Sequence, residues 1–144
     1  MSADVDRVPE PSSSKATPRG SAVAVLLAVV LDVALVLVFA VSGRSQHGEA
    51  ASLAGLWETA WPFLFALAFT WAVALIWRRP FALLRSGLPV WIGTVVFGML
   101  MRVAFTDGGA ALPFVLVATG VLGVFLLGWR IIALLVMRLR RGAE

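Results

Sequence analysis

The chain has no cysteine, a single histidine and few charged residues, which make up 14% of its 144 residues. The absence of cysteine excludes a disulfide framework, a thiolate nucleophile and a thiolate metal site. One histidine with scattered acids does not supply a set of metal ligands, and the sequence implies no cofactor. No glycine-rich phosphate loop and no serine–histidine–aspartate set is visible, so we expect a protein that is not an enzyme.

The residues that are present form four long apolar blocks, and 60% of the chain is hydrophobic. A helix needs roughly 20 mostly apolar residues to cross a hydrocarbon core. The sequence therefore predicts an all-α integral membrane protein, a four-helix transmembrane bundle over residues 21–137. Its helices are expected at approximately 21–42, 56–77, 88–106 and 110–137. The short connections predict antiparallel packing of successive helices.

Both ends of the chain are polar. Residues 1–20 are rich in serine, proline and charge and are predicted to be a disordered cytoplasmic tail, while 138–144 form a basic cytoplasmic tail. A cleaved signal peptide is the alternative for the first apolar block. That block is longer than the usual signal core of about 7 to 15 residues, so we retain it as the first helix. Pro62, Pro89 and Pro113 are expected near helix starts, where a missing N–H matters least.

The basic residues indicate the orientation. They cluster in the amino-terminal tail, between the second and third helices and at the carboxyl terminus: Arg7, Lys15, Arg19, Arg78, Arg79, Arg85, Arg130, Arg138, Arg140 and Arg141. The positive-inside rule then predicts a plasma-membrane protein with both termini in the cytoplasm. The net charge of +4 could indicate a protein that binds nucleic acid. The basic residues lie at the ends of apolar blocks, however, so they indicate membrane topology and no nucleic-acid partner.

Tryptophans are expected to mark the two membrane interfaces, as they do in many membrane proteins. Trp57 and Trp61 would mark the outer interface, and Trp77, Trp91 and Trp129 the inner one. Together with Trp129, the arginines Arg78, Arg79 and Arg130 are predicted to anchor the cytoplasmic interface. The predicted partners there are membrane lipids with anionic headgroups.

One carboxylate interrupts the first apolar block. Asp32 lies about ten residues into the helix, which places it ~15 Å deep, near the midplane. Its insertion costs about 2.5 to 3.5 kcal/mol, and the surrounding aliphatic residues, at roughly 0.3 to 0.6 kcal/mol each, offset that cost. Arg102 of the third helix lies at a height that its long side chain can bridge. We therefore predict an intramembrane pair between Asp32 and Arg102.

Small residues share faces with both charges. Ala24, Ala28 and Asp32 have helical spacing, as do Thr94, Gly98 and Arg102, and small residues let membrane helices approach closely. Threonines are predicted to form a polar interior with hydroxyl groups that bond across helix contacts, and they are Thr70, Thr94 and Thr119. On the outer face, Arg44, His47 and Glu58 are predicted to form a polar cluster in which His47 caps the interface.

The ordered series of motifs resembles the actinobacterial and haloarchaeal membrane family called domain of unknown function 3054. It consists of LDVALVLVFAVSGRSQH at 31–47, TAWPFLFALAFTW at 59–71, WRRP at 77–80, VWIGTVVFGMLMR at 90–102, FVLVATGVLG at 114–123 and GWR at 128–130. The resemblance covers about residues 20–132. It implies a four-helix membrane protein of unassigned activity, with the acid at Asp32, loop residues at Gly43, Arg44 and His47, and arginines at Arg102 and Arg130.

Two functions follow from the two interpretations of Asp32. If Arg102 holds the carboxylate, the pair is structural, and the protein is a non-enzymatic scaffold or accessory subunit. If Asp32 is free to exchange a proton or ligand, the protein is a small proton-coupled transporter or small-ligand carrier. An ion pair with arginine favours the ionised carboxylate, so a tightly paired Asp32 would be a poor proton carrier. A carrier this small would also need a homo-oligomer or another membrane protein to enclose a pathway.

Overall fold

A computed structural model of the chain describes residues 21–45 and 52–142. It has four long helices, α1 (Ala22–Ser45), α2 (Leu53–Val73), α3 (Leu88–Phe105) and α4 (Leu112–Arg141), and the described residues include no strand. All four helices are long and apolar enough to cross a membrane, which indicates a multi-pass membrane protein. The prediction of an all-helical, four-helix protein is confirmed. The predicted tail at 1–20 lies outside the described residues.

Four helix ends differ by three or four residues from those predicted: α1 ends at Ser45 instead of 42, α2 spans Leu53–Val73 instead of 56–77, and α4 ends at Arg141 instead of 137. α2 begins at Leu53 because Ser52 caps it, its hydroxyl accepting a hydrogen bond from the Gly55 N–H at 3.1 Å. Pro62 therefore lies inside α2 instead of near its start, and the prediction for that proline is wrong. α4 continues to Arg141, so residues 138–141, predicted as part of a tail, form its last turn. The leucine and three arginines of that stretch are good helix formers, which explains the longer helix.

The helices pack in a ring in which α1 contacts α2 and α4, and α3 contacts α2 and α4. Two contacts show that α1 and α4 are antiparallel: the ring of Phe39 meets that of Phe114 at one level, while Asp32 forms an ion pair with Arg130 at another. α2 and α3 form the most extensive contact. A Cβ at Gly98 would collide with the ring of Phe63, so this glycine permits the close approach of α2 and α3.

The segment that joins α2 to α3, residues 74–87, is folded compactly against α4, and we call it the connecting segment. It contains a 3₁₀ turn at Ile76–Arg78 and a π-helical turn at Leu83–Gly87 that continues into α3. Leu75 precedes the first turn with a φ of 51°, in the left-handed region that side chains other than glycine seldom adopt. Ile76 and Pro80 are buried, so the segment is packed into the bundle at this end.

Candidate functional site

A fully buried carboxylate lies where three helices and the connecting segment meet. Asp32 of α1 is 0% exposed and faces Arg130 of α4, whose Nη1 and Nη2 donate to Oδ1 and Oδ2 at 2.8 Å each. Two indoles complete its surroundings: Trp129 Nε1 donates to Oδ1 at 2.8 Å, and Trp71 Nε1 donates to Oδ2 at 3.0 Å. Each carboxylate oxygen therefore accepts two N–H groups. We call Asp32, Trp71, Trp129 and Arg130 the Asp32 cluster.

Arg130 joins the cluster to the backbone around it. Its Nη1 also donates to the Leu126 carbonyl at 2.8 Å, and its Nε donates to the Pro80 carbonyl of the connecting segment at 3.1 Å. The side chain is 0% exposed. One guanidinium thus holds α1 through a carboxylate and the connecting segment through a carbonyl, while its own helix supplies the third acceptor.

Close packing brings the connecting segment to this position. A Cβ at Gly87 would lie 3.1 Å from Leu127 Cδ2 and 3.2 Å from Arg130 Cδ, so the absence of a side chain lets the segment approach α4. Phe81 packs edge-on against Trp129, with ring centroids 5.8 Å apart. The guanidinium carbon of Arg130 lies 4.4 Å from the ring centroid of Trp129. These contacts orient both donors toward Asp32.

The charge balance of the cluster explains why a carboxylate is tolerated there. A buried ion without partners is strongly disfavoured, whereas a bidentate guanidinium–carboxylate pair supplies two charge-assisted hydrogen bonds. Removing one partner of such a pair typically costs about 3 to 5 kcal/mol, because the other charge is left buried and unpaired. The two indole donors occupy the remaining acceptor directions of the carboxylate. The cluster is therefore an internally satisfied polar network.

The predicted pair between Asp32 and Arg102 is wrong. Arg102 Nε donates to the Gly109 carbonyl at 2.9 Å and Nη2 to the Gly108 carbonyl at 3.3 Å, both in the turn between α3 and α4. Its guanidinium carbon also lies 4.3 Å from the ring centroid of Phe114. Arg102 is one turn from the end of α3, where carbonyls of the following turn are within reach. Asp32 of α1 lies instead beside Trp71, near the end of α2, which is at the opposite end of the bundle.

The sequence contained a signal for the correct partner. Asp32 lies about ten residues after the start of α1, and Arg130 lies about eleven residues before the end of α4. In antiparallel helices that begin and end on the same side, these counts place the two residues at similar heights. The predicted end of α4 near residue 137 leaves Arg130 only about two turns from the end of its helix, and this shorter helix favours an interfacial position for Arg130.

The predicted interface anchors separate into two groups. Arg78 and Arg79 are exposed on the connecting segment. Arg130 is fully buried against Asp32, so its assignment to the interface is wrong. Trp129 is partly exposed and donates to Asp32, and its place at the interface stays a prediction. The sequence does not reveal the role of Trp71, since a tryptophan in an apolar block gives no sign of which acceptor its indole will meet.

The threonines lie inside the bundle but do not join its helices through their hydroxyls. Thr70 and Thr94 are buried, and Thr119 is partly buried. The hydroxyls of Thr70 and Thr119 donate to carbonyls of their own helices, Ala66 at 2.8 Å and Val115 at 2.7 Å. The expectation that these two hydroxyls bond across helices is therefore wrong. The Thr119 backbone carbonyl instead accepts the Trp91 indole N–H of α3 at 2.9 Å.

The predicted outer cluster stays a prediction. His47 lies outside the described residues, and Arg44 belongs to the last turn of α1. Glu58 is exposed on α2, where its charge attracts Arg102.

Comparison with known proteins identifies one matching family. Its model, described as a protein of unknown function (DUF3054), matches residues 29–133. The chain therefore belongs to the DUF3054 family. No curated protein and no solved structure matches the chain. The matched region contains all four members of the Asp32 cluster, each of which lies in one of the motif segments named above.

Proposed function

We propose that this member of the DUF3054 family is a non-enzymatic scaffold or accessory subunit of the plasma membrane, in which the Asp32 cluster holds the helices in register. The observation that carries the proposal is the complete use of the carboxylate. Both Asp32 oxygens accept two N–H groups each, from one arginine and two tryptophans, and the side chain is 0% exposed. A group so occupied acts as a stabilising centre for the fold.

A buried polar network favours one arrangement of apolar helices over others. Apolar surfaces slide past one another at small cost, whereas a shift of α1 or α4 by one turn would move Asp32 or Arg130 by ~5.4 Å and break the bidentate pair. The network also joins α1, α2, α4 and the connecting segment in one hydrogen-bonded unit. A rigid protomer with a defined register suits a protein whose role is to present surfaces to partners.

The carrier hypothesis has weaker support. Proton-coupled transport through Asp32 requires the carboxylate to exchange a proton or a ligand with water during the cycle. Here the carboxylate has neither an exposed atom nor an acceptor direction left by its four N–H donors. Exchange would need Arg130 and at least one indole to move away together.

We propose that both termini and the connecting segment face the cytoplasm. The connecting segment and the carboxyl-terminal part of α4 lie at the same end of the bundle, since Arg130 Nε bonds the Pro80 carbonyl. That end carries six exposed arginines, Arg78, Arg79, Arg85, Arg138, Arg140 and Arg141. The positive-inside rule assigns such an end to the cytoplasm, where anionic lipid headgroups are the expected contacts. A second copy or another membrane protein is the proposed protein partner.

The test is a set of neutral substitutions, Asp32→Asn, Arg130→Gln and the two combined, with Arg140→Gln as the exposed control. Each single change within the pair should lower the free energy of unfolding in detergent by about 3 to 5 kcal/mol, because it leaves one buried charge unpaired. The double variant should lose less than the sum of the two, and the control should lose under about 0.5 kcal/mol.

The same proteins reconstituted in vesicles separate the two functions. If Asp32→Asn unfolds like the unmodified protein but abolishes proton-linked uptake of a substrate, the scaffold proposal is refuted and the carrier is supported. Additive losses in the single and double variants would refute the register role, since independent residues add and a paired network does not.

A further inference from the structure

The connecting segment covers the Asp32 cluster at one end of the bundle. Trp71, two residues before the end of α2, donates to Asp32, so α2 ends close to the level of the carboxylate. The chain beyond α2 is the connecting segment, whose Ile76 and Pro80 are buried. Asp32 itself is 0% exposed. The segment therefore lies between the cluster and the water at that end of the bundle.

Two side chains hold both the segment and the carboxylate. Arg130 Nε donates to the Pro80 carbonyl at 3.1 Å, and the ring of Phe81 packs edge-on against that of Trp129. Arg130 Nη1 and Trp129 Nε1 also donate to Asp32 Oδ1, each at 2.8 Å. The attachment of the segment to α4 and the pairing of Asp32 therefore depend on the same two residues.

Residues 75–82 have little other polar attachment. Within the part of the chain that the structure describes, they form one hydrogen bond with the four helices, the bond from Arg130 to Pro80. The backbone is irregular at both ends of this stretch, since Leu75 has a φ of 51° and Leu83–Gly87 is a π-helical turn. Backbone irregularities of these two kinds are frequent at functional sites. Residues 75–82 can thus separate from α4 with the loss of one hydrogen bond to the helices.

We propose that the connecting segment is a gate for the Asp32 cluster: residues 75–82 move away from α4 and admit water to the carboxylate, while the four helices stay packed. The structure shows the closed form. Closing the gate orders Arg130 and Trp129, and opening it frees them. A partner that binds the open form alone would therefore change the pairing of Asp32 from that end of the bundle. The gate goes beyond the proposed function and is compatible with a scaffold and with a carrier.

Hydrogen exchange of the Trp71 indole measures the opening of the gate. NMR follows the loss of the indole N–H signal in deuterated water, with the protein in detergent micelles, and exchange requires water to reach the nitrogen. Trp71 is 7% exposed and bonds Asp32 Oδ2, the oxygen that Trp129 does not bond. It therefore reports on the whole cluster and not on the neighbourhood of Trp129 alone.

Two matched variants separate the gate from unfolding of the whole bundle. Phe81→Ala removes the ring that packs against Trp129, so it favours the open gate. Exchange at Trp71 should become about 2- to 12-fold faster, the factor that corresponds to the loss of one aromatic pair. The control is Phe97→Ala, which removes an edge-on pair with Phe69, centroids 4.9 Å apart, between α2 and α3. That pair stays intact when the gate opens, so the control should leave exchange at Trp71 unchanged.

Thiol labelling provides a second measurement that leaves the aromatic rings in place, and the chain has no cysteine of its own. Ser86 is 2% exposed, and its hydroxyl donates to the Arg79 carbonyl at 2.6 Å, so its burial depends on the closed gate. The control is Thr94 of α3, which is 0% exposed. A water-soluble methanethiosulfonate should modify Ser86→Cys at least about tenfold faster than Thr94→Cys, because exposure of Thr94 requires the helices to separate.

Three results would overturn the gate. Equal acceleration of Trp71 exchange by the two alanine variants would show that water reaches the cluster only when the helices separate. Unchanged exchange in Phe81→Ala would show that the connecting segment is not the route. Equal labelling rates at the two cysteines would show that the segment does not open by itself. All of these variants keep Asp32 and Arg130, so a failure of the gate is distinguishable from a failure of the scaffold proposal.

Discussion

The substitution Trp71→Phe removes a single N–H donor from the Asp32 cluster and keeps an aromatic ring in its place. Trp71 is 7% exposed, and its indole nitrogen lies 3.0 Å from Asp32 Oδ2. Phenylalanine cannot donate this bond, so one oxygen of a buried carboxylate loses a partner. No other donor from the described residues bonds that oxygen except Arg130 Nη2.

The expected loss has two parts. A hydrogen bond to a charged group contributes about 1.5 to 3 kcal/mol, and the smaller ring leaves a void with its own cost, so we expect about 2 to 4 kcal/mol in total. Trp91→Phe is the matched control, because the Trp91 indole donates at 2.9 Å to a neutral acceptor, the Thr119 carbonyl. A neutral hydrogen bond contributes about 0.5 to 1.5 kcal/mol. The two variants lose the same atoms, so Trp71→Phe should cost about 1 kcal/mol more.

The assay is reversible unfolding in mixed micelles, with the free energy of unfolding obtained from titration with a denaturing detergent. Trp71→Phe is measured in the unmodified protein and again in the Asp32→Asn background. Because the amide of asparagine is uncharged, the cost of Trp71→Phe should fall by about 1 kcal/mol in that background. The double-mutant cycle thereby isolates the indole–carboxylate interaction from the change in ring size.

Two results would refute the reasoning. The first is a cost for Trp71→Phe equal to or below that of Trp91→Phe. The second is a coupling energy with Asp32 below about 0.3 kcal/mol, the level at which distant sites are additive. Either result would mean that the indole contributes packing alone and that Arg130 is sufficient for the carboxylate.

Further predictions concern residues outside the cluster. Arg102→Gln should lower the free energy of unfolding by about 1 to 3 kcal/mol, because it removes hydrogen bonds to the turn between α3 and α4. Its effect should be additive with that of Asp32→Asn. A coupling energy above about 0.5 kcal/mol between the two substitutions would contradict the observed partners of Arg102. Gly98→Ala should cost about 1 to 3 kcal/mol, because the new methyl group meets the ring of Phe63. Gly128→Ala should stabilise by about 0.5 to 1 kcal/mol, since no atom lies within 4 Å of the added Cβ, and a loss there would show an undetected contact.

The number of helices can be predicted directly from the apolar blocks, whereas the residues that form the Asp32 cluster cannot. The blocks are long, and hydropathy averages over many residues, so small errors in boundaries leave the count unchanged. Arg102 and Arg130 were both within reach of Asp32 by a simple estimate of height. The two arginines differ in rotation about their helix axes and in the carbonyls near them. Arg102 meets the carbonyls of a turn, and this competing interaction cannot be seen in a residue count.

The tryptophans also show the difference between what the sequence predicts and what helix packing determines. The sequence predicts Trp91 and Trp129 at the inner interface, while Trp71 lies within an apolar block with no sign of its acceptor. In the structure all three indoles donate to acceptors in the bundle, and two of them donate to one carboxylate. Burial of an indole depends on the packing of neighbouring helices, which brings a suitable acceptor to the nitrogen.

Four apolar helices, their approximate positions and the presence of one acid among aliphatic residues can all be derived from the amino-acid sequence. These features depend on side-chain hydrophobicity and backbone hydrogen bonding within single segments, and both are local. The packing of the helices is what brings Asp32 to Arg130, directs two indole N–H groups to the carboxylate oxygens and places the Pro80 carbonyl of the connecting segment next to Arg130. These contacts join residues up to 98 positions apart. They depend on helix rotation, on the offset between helices and on the close approach permitted at Gly87, which no single segment specifies.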